Sequence, residues 1–191
     1  MKKNFLKKAF PLFLIALMVF STFGIVISQI GNTGESKSVN YQGHDFQFDG
    51  QQWFSFKGKE RIDFLFGPYE LEPLLESVDP LLNEVRTHTK TYVSLDPEEE
   101  FSQESQFLRS LLIFLTGKQV IAACQKEGEG CVDLPLKNCG NAISNEVFVI
   151  SLVQDTENKA TLESSCFTLS GDSAYFIRIG EGLKLRYVLD G

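Results

Sequence analysis

The hydrophobic pattern changes period along the chain, and each change marks a structural boundary. Residues 9–30, AFPLFLIALMVFSTFGIVISQI, carry no charge at all. At about 1.5 Å rise per residue such a run spans roughly 33 Å, close to the ~30 Å hydrocarbon core of a bilayer, and it predicts a single-pass transmembrane helix. Residues 31–40, GNTGESKSVN, read as a polar linker. Beyond Tyr41 the period becomes two. Phe46 and Phe48 alternate with polar neighbours, and Asp49-Gly50 is a hairpin signal. The return run carries Trp53, Phe54 and Phe56. Lys57-Gly58-Lys59 turns again, and Ile62, Phe64 and Phe66 alternate after it. This pattern predicts a three-stranded antiparallel meander with an aromatic face, and six of the chain's 17 phenylalanines lie in it.

Pro73 and Pro80 limit residues 69–88 to short helices, with Asp79-Pro80 starting one over about 80–87. Residues 89–95, TKTYVSL, have the β-branched and aromatic content of a strand. Asp96-Pro97-Glu98-Glu99-Glu100 starts a helix, its acids complementing the helix dipole. Phe101, Phe107, Leu108, Leu111, Leu112, Phe114 and Leu115 follow in mostly helical spacing, and Gly117 is the expected C-cap. Val120–Ala123 predicts a buried strand. Glu146–Val153, EVFVISLV, is the strongest strand in the chain, with Thr161–Leu169 expected as its hairpin partner. At the C-terminus Asp172 caps a helix whose inward positions are Phe176, Ile179, Leu183 and Tyr187, although Tyr175, Ile177 and Ile179 also alternate. The reading is α+β: a transmembrane helix, a linker over 31–40, and one domain over 41–191 of antiparallel strands with two or three helices. No internal repeat is visible.

Charge gives the arrangement a direction. The formal net charge is −7, yet the only charges before residue 31 are Lys2, Lys3, Lys7 and Lys8. The positive-inside rule keeps that stub cytoplasmic and places the rest of the chain outside, attached to membrane lipid through residues 9–30. Without those lysines the remainder has a net charge of −11, which repels phosphate backbones and excludes nucleic acid as a partner. The competing reading is a cleaved signal peptide. The run is longer than a signal's usual apolar core, and Val26 with Ser28 makes a poor cleavage site. Cys124 is the first cysteine, so a lipidated N-terminus is excluded.

Cys124, Cys131, Cys139 and Cys166 all fall in the C-terminal half. An even number in an extracytoplasmic domain implies disulfides. Four cysteines allow three connectivities. The preferred one joins Cys124 to Cys131 across a short loop and Cys139 to Cys166, tying the segment before the hairpin to the hairpin's second strand. Zinc competes poorly, because the spacings are wide and His44 and His88 are the only histidines. A redox C-x-x-C, a G-x-S-x-G elbow, an H-E-x-x-H helix and a P-loop are absent. His44 stands beside Asp45, but neighbours on a strand point to opposite faces. His88 falls at a helix end, where a lone histidine is usually structural. The Glu98–Glu100 run is explained by its helix start, and Glu127-Gly128-Glu129-Gly130 does not match a calcium loop. No catalytic, cofactor or metal residue is assigned.

The lysine-flanked anchor followed by YQGHDFQFDGQQWFSF, the later CVDLPLKNC, and Cys166-Phe-Thr-Leu-Ser-Gly before a helix together resemble a group of uncharacterised archaeal membrane-anchored proteins. The resemblance covers most of the chain through loose motifs. It implies a signal-anchor, paired cysteines in an extracytoplasmic domain and a C-terminal helix, and it transfers no catalytic residue.

The functional expectation is a membrane-anchored extracytoplasmic interaction or accessory domain with a protein partner near the membrane surface. Trp53 is the first candidate contact, since tryptophan is enriched at binding hot spots. The alternatives are a secreted ligand-binding protein released by signal cleavage and a hydrolase using His44 or His88.

Overall fold

The computed structural model describes residues 37–98, 102–142 and 146–190. The expected anchor over 9–30 lies outside them, and among the described residues no helix is long and apolar enough to cross a membrane. Two sheets and a layer of helices between them make up the described chain.

The first sheet is a four-stranded antiparallel meander in the order β1 (Lys37–Tyr41), β2 (His44–Phe48), β3 (Trp53–Lys57) and β4 (Glu60–Phe64). The expected linker therefore ends sooner than residue 40, because Lys37–Asn40 pairs with Asp45–Phe48. The connecting turn places Gln42 at φ 50° and Gly43 at φ 86°, two consecutive positive values that suit a tight hairpin. Gln is an unusual residue there, so the turn has no strong sequence signature. The Asp49-Gly50 turn is as expected: the Asp49 carboxylate accepts the Gln51 and Gln52 N–H groups, each at 3.1 Å.

After β4 come a short helix α1 (Pro68–Leu71), a single 3-10 turn (Glu72–Leu74) and helix α2 (Leu75–Thr87). Pro80 lies inside α2 and does not start it. Proline normally breaks a helix by removing one N–H and crowding the preceding turn. Here Val78, Leu81, Leu82 and Val85 are all buried on one face and hold both sides of Pro80 in one helix.

The second sheet corrects the expected all-antiparallel domain. Its strands are β5 (Lys90–Leu95), β6 (Val120–Cys124), β7 (Val147–Gln154), β8 (Lys159–Glu163) and β9 (Cys166–Gly171), in the spatial order β6-β5-β7-β9-β8. β5 is parallel to β6 and β7, and β7 is parallel to β9. Residues 161–169 are therefore not a single partner for β7. They split at Ser164, which has φ 53°, into the antiparallel pair β8–β9, and β9 returns beside β7. The near-continuous apolar run of β7, buried from Phe148 to Leu152, is what a central parallel strand requires.

Helix α3 (Ser102–Thr116) connects β5 to β6, and helix α4 (Ser173–Leu189) ends the fold. Gly117 takes φ 67° and donates its N–H to Ile113 O at 2.8 Å, the expected C-cap. Asp172 caps α4 by accepting the Tyr175 N–H at 2.8 Å. The main core lies between the mixed sheet and α2, α3 and α4, with Phe148, Ile150, Phe167 and Phe176 at its centre. A second core joins the meander to α1 and α4 through Phe46, Phe64, Leu71, Leu185 and Val188. Helix α4 is thus a wall of both cores, and this explains why its amphipathicity is faint in the sequence. At Gly180 α4 passes so close to α3 that an added Cβ would overlap the Phe107 ring.

The far face of the mixed sheet carries a mostly irregular segment of chain, residues 125–142, with a single 3-10 turn at Cys139–Asn141. Both disulfides of the preferred connectivity are present, Cys124–Cys131 with Cα atoms 6.1 Å apart and Cys139–Cys166 at 5.2 Å. Between them the segment is fixed by hydrogen bonds. Lys137 N–H donates to Cys124 O at 2.8 Å, the Ser94 hydroxyl donates to Lys137 O, and Gln125 Nε2 reaches Ser151 Oγ at 3.0 Å.

Candidate functional site

His88 closes the C-terminus of α2. Its Nδ1 lies 2.9 Å from Glu84 O and 3.3 Å from Glu84 Oε2, and its ring stacks on Phe148 with centroids 5.3 Å apart. The imidazole thus satisfies a helix-end carbonyl, a structural use. Ser164 and Ser165 line the same shallow cleft as Glu84 and His88. Carboxylate, imidazole and hydroxyl chemistry therefore meet there, although Nδ1 is already engaged by Glu84 and, at 3.4 Å, by the Thr87 hydroxyl. His44 opens β2 opposite Tyr41. Asp45 sits on the other face of that strand, where its carboxylate accepts Asn40 Nδ2 at 2.8 Å, and the structure does not join the two as an acid–base pair.

A groove runs between β4, α3 and α4. Leu65, Phe107 and Ile177 supply its apolar lining, with Glu104, Glu181 and Lys184 among its polar groups. Glu181 is only 1% exposed, and every contact of its carboxylate is a strong one: Leu65 N–H at 2.7 Å and Lys184 Nζ at 2.6 Å. Lys184 also donates to Asp63 O at 3.0 Å. Glu104 accepts the Ser173 hydroxyl with Oε1, and its Oε2 is buried without a hydrogen-bond partner. The sequence signal for the Glu181–Lys184 pair was available, since the two are three residues apart on one helix. It was masked by the ambiguous periodicity of that segment.

The two faces of the meander differ. Trp53 points inward, half-buried, against Phe48 at 5.5 Å between centroids and against the backbone of Gly67. Phe54 and Phe56 point outward, 5.8 Å apart and perpendicular, and Phe56 is 51% exposed. The Arg61 guanidinium lies 4.0 Å over the Phe54 ring, held by Asp49 Oδ2 at 2.7 Å and Asp63 Oδ1 at 2.6 Å. Hydrogen bonding from Arg61, then from the Gln52 and Gln51 N–H groups, keeps the Asp49 carboxyl below its ordinary value. The sequence reading singled out Trp53 and left the outward pair unassigned. Strict alternation through Trp53-Phe54-Ser55-Phe56 already separates the two faces.

In the acidic stretch after β5, Asp96 and Glu98 share one cation. Lys126 pairs with Glu98 at 2.9 Å and Asp96 at 3.0 Å, and Glu99 and Glu100 lie outside the described residues. Hydrogen bonds to these two carboxylates raise the Lys126 ammonium's affinity for its proton, Glu98 contributing most. Among the described residues no group of three or more His, Cys, Asp or Glu side chains is placed to hold a metal ion. All four cysteines are consumed by the disulfides.

Comparison with protein families, with curated proteins and with solved structures returned no match to this chain.

Proposed function

We propose that the chain is a membrane-anchored extracytoplasmic interaction module that holds a protein partner close to the bilayer. The observation that carries this reading is the outward face of the meander, where Phe54 and Phe56 stand beside the stacked Arg61. Aromatic side chains and arginine are the groups enriched at interface hot spots. Each has a large contact area, and Arg61 is held in place by two carboxylates. The uncharged run over 9–30 and the four preceding lysines support the anchor and its orientation. Only residues 31–36 separate that run from β1, and six residues reach about 21 Å at full extension, so the partner would lie near the lipid.

The test is crosslinking in intact membranes, comparing the native chain with Phe56→Ala and Arg61→Ala. Both residues lie outside the two main cores, so Phe56→Ala should keep its stability and Arg61→Ala should give up only its exposed pairs with Asp49 and Asp63, and both should lose the crosslinked partner. Unchanged capture by both would remove this face from the interface.

A second reading is favoured by the groove between Leu65, Phe107 and Ile177, where the unpaired Glu104 oxygen would accept a donor from a small amphipathic ligand. Thermal stabilisation by such ligands, abolished in Glu104→Gln, would support ligand binding in preference to a protein partner.

A further inference from the structure

The strand register brings the start of the domain into line with its aromatic residues. Lys37, the first residue of β1, pairs with Phe48; Phe48 pairs with Trp53; and Trp53 pairs with Phe64. Four strands about 4.8 Å apart make this transverse row about 14 Å wide. At the same end of the meander β4 runs out into Leu65 and Phe66. Leu65 is 63% exposed, and Phe48, Trp53 and Phe66 are half-buried. Leu65 is held in place, because the buried Glu181 carboxylate accepts its backbone N–H.

Acids and cations alternate at this end of the domain. Asp49 and Asp63 are both paired with Arg61, Glu181 is paired with Lys184, and Glu70 Oε1 accepts the Gly67 N–H at 3.1 Å. Lys37 is exposed, and the Arg178 guanidinium lies 5.4 Å from the centre of the Phe66 ring. Amphipathic aromatics with adjoining cations are what the lipid headgroup layer accepts, tryptophan being enriched at that depth.

We propose that this end of the meander, with Trp53, Leu65 and Phe66, rests on the lipid headgroups of the membrane that holds the chain. The inference rests on the anchor reading and goes beyond it by fixing which end of the domain faces the bilayer. The occupant follows from the chain's own connectivity. The sequence runs from the uncharged stretch to Lys37 in six residues, and Lys37 shares its transverse row with Trp53. The outward face of Phe54 and Phe56 then stands across the membrane plane, open to a neighbour.

Trp53 is the chain's single tryptophan and therefore reports on this contact alone. The full-length chain is reconstituted into phosphatidylcholine–phosphatidylglycerol vesicles, with or without phosphatidylcholine spin-labelled on its headgroup. Flotation and Trp53 emission are measured on the same sample. The expected result is a chain that floats with the vesicles and loses emission when the headgroup label is present. A chain that floats with undiminished Trp53 emission overturns the headgroup contact and leaves the anchor intact. A chain that does not float overturns the anchor and this inference with it.

Discussion

The Glu181 carboxylate, fully enclosed on α4, accepts the backbone N–H of Leu65 across the two cores at a distance of 2.7 Å. A segment 116 residues earlier in the chain is thereby fixed by one side chain near the C-terminus. Removing a buried, charged acceptor from its hydrogen-bond donors costs about 1–3 kcal/mol. Glu181→Ala should destabilise the protein by that order, and Glu181→Gln, which keeps an acceptor, should lose less. Urea unfolding followed by Trp53 fluorescence measures both.

Gly180 permits the close crossing of α3 and α4. In Gly180→Ala the new methyl group meets the Phe107 ring, and overpacking of this kind costs about 1–3 kcal/mol. Phe107→Leu in the same chain should recover part of the loss. A double-mutant cycle by thermal unfolding checks the coupling, which independent sites would not show.

The two disulfides differ in access. Cys139 is exposed and lines an open cleft with Cys166, whereas Cys124 and Cys131 are 1% and 7% exposed. Graded reduction followed by alkylation and peptide mapping should show Cys139–Cys166 opening first. Its sequence separation is 27 residues against 7 for the other bridge, so it also closes the larger loop. Replacing Cys139 and Cys166 together by serine should cost about 2–4 kcal/mol, and the change at Cys124 and Cys131 should cost less.

Acid should weaken the meander through Asp49. Hydrogen bonding from Arg61 depresses its folded-state pKa below the ordinary 3.8. A depressed carboxylate contributes stability that is present above the unfolded pKa and is lost as pH falls through the folded one. Stability should therefore decline below about pH 4, and Asp49→Asn should flatten that part of the profile. Denaturant midpoints measured between neutral pH and pH 3 test the slope.

Much of this fold was legible where one physical signal dominated. Asp49-Gly50, Gly117 and Asp172 each act as their residue type dictates, and the cysteine pairing chosen for loop closure is the one observed. The parallel sheet was not legible. Its direction is set by where α3 returns the chain and by the turn at Ser164, and neither leaves a mark in the periodicity of β7 or β9. Pro80 misled because a local rule about helix starts was overridden by four buried side chains around it. At the candidate surfaces, aromatic content and its alternation were visible, but which of the two faces turns inward depended on the helices that pack against the meander. The groove was hidden because Leu65, Glu104 and Glu181 come from three distant segments.

Helix α4 has a consequence for the order in which the protein takes shape. Synthesis proceeds from the N-terminus, so the meander is complete as sequence long before Leu185 and Val188 exist to cover it. The mixed sheet waits likewise for Phe176, Ile179 and Leu183. Both cores stay incomplete until the last 17-residue helix has emerged. A chain cut short before Ser173 would lack only its last 19 residues, yet it would present two incompletely covered apolar surfaces to any passing protease or chaperone.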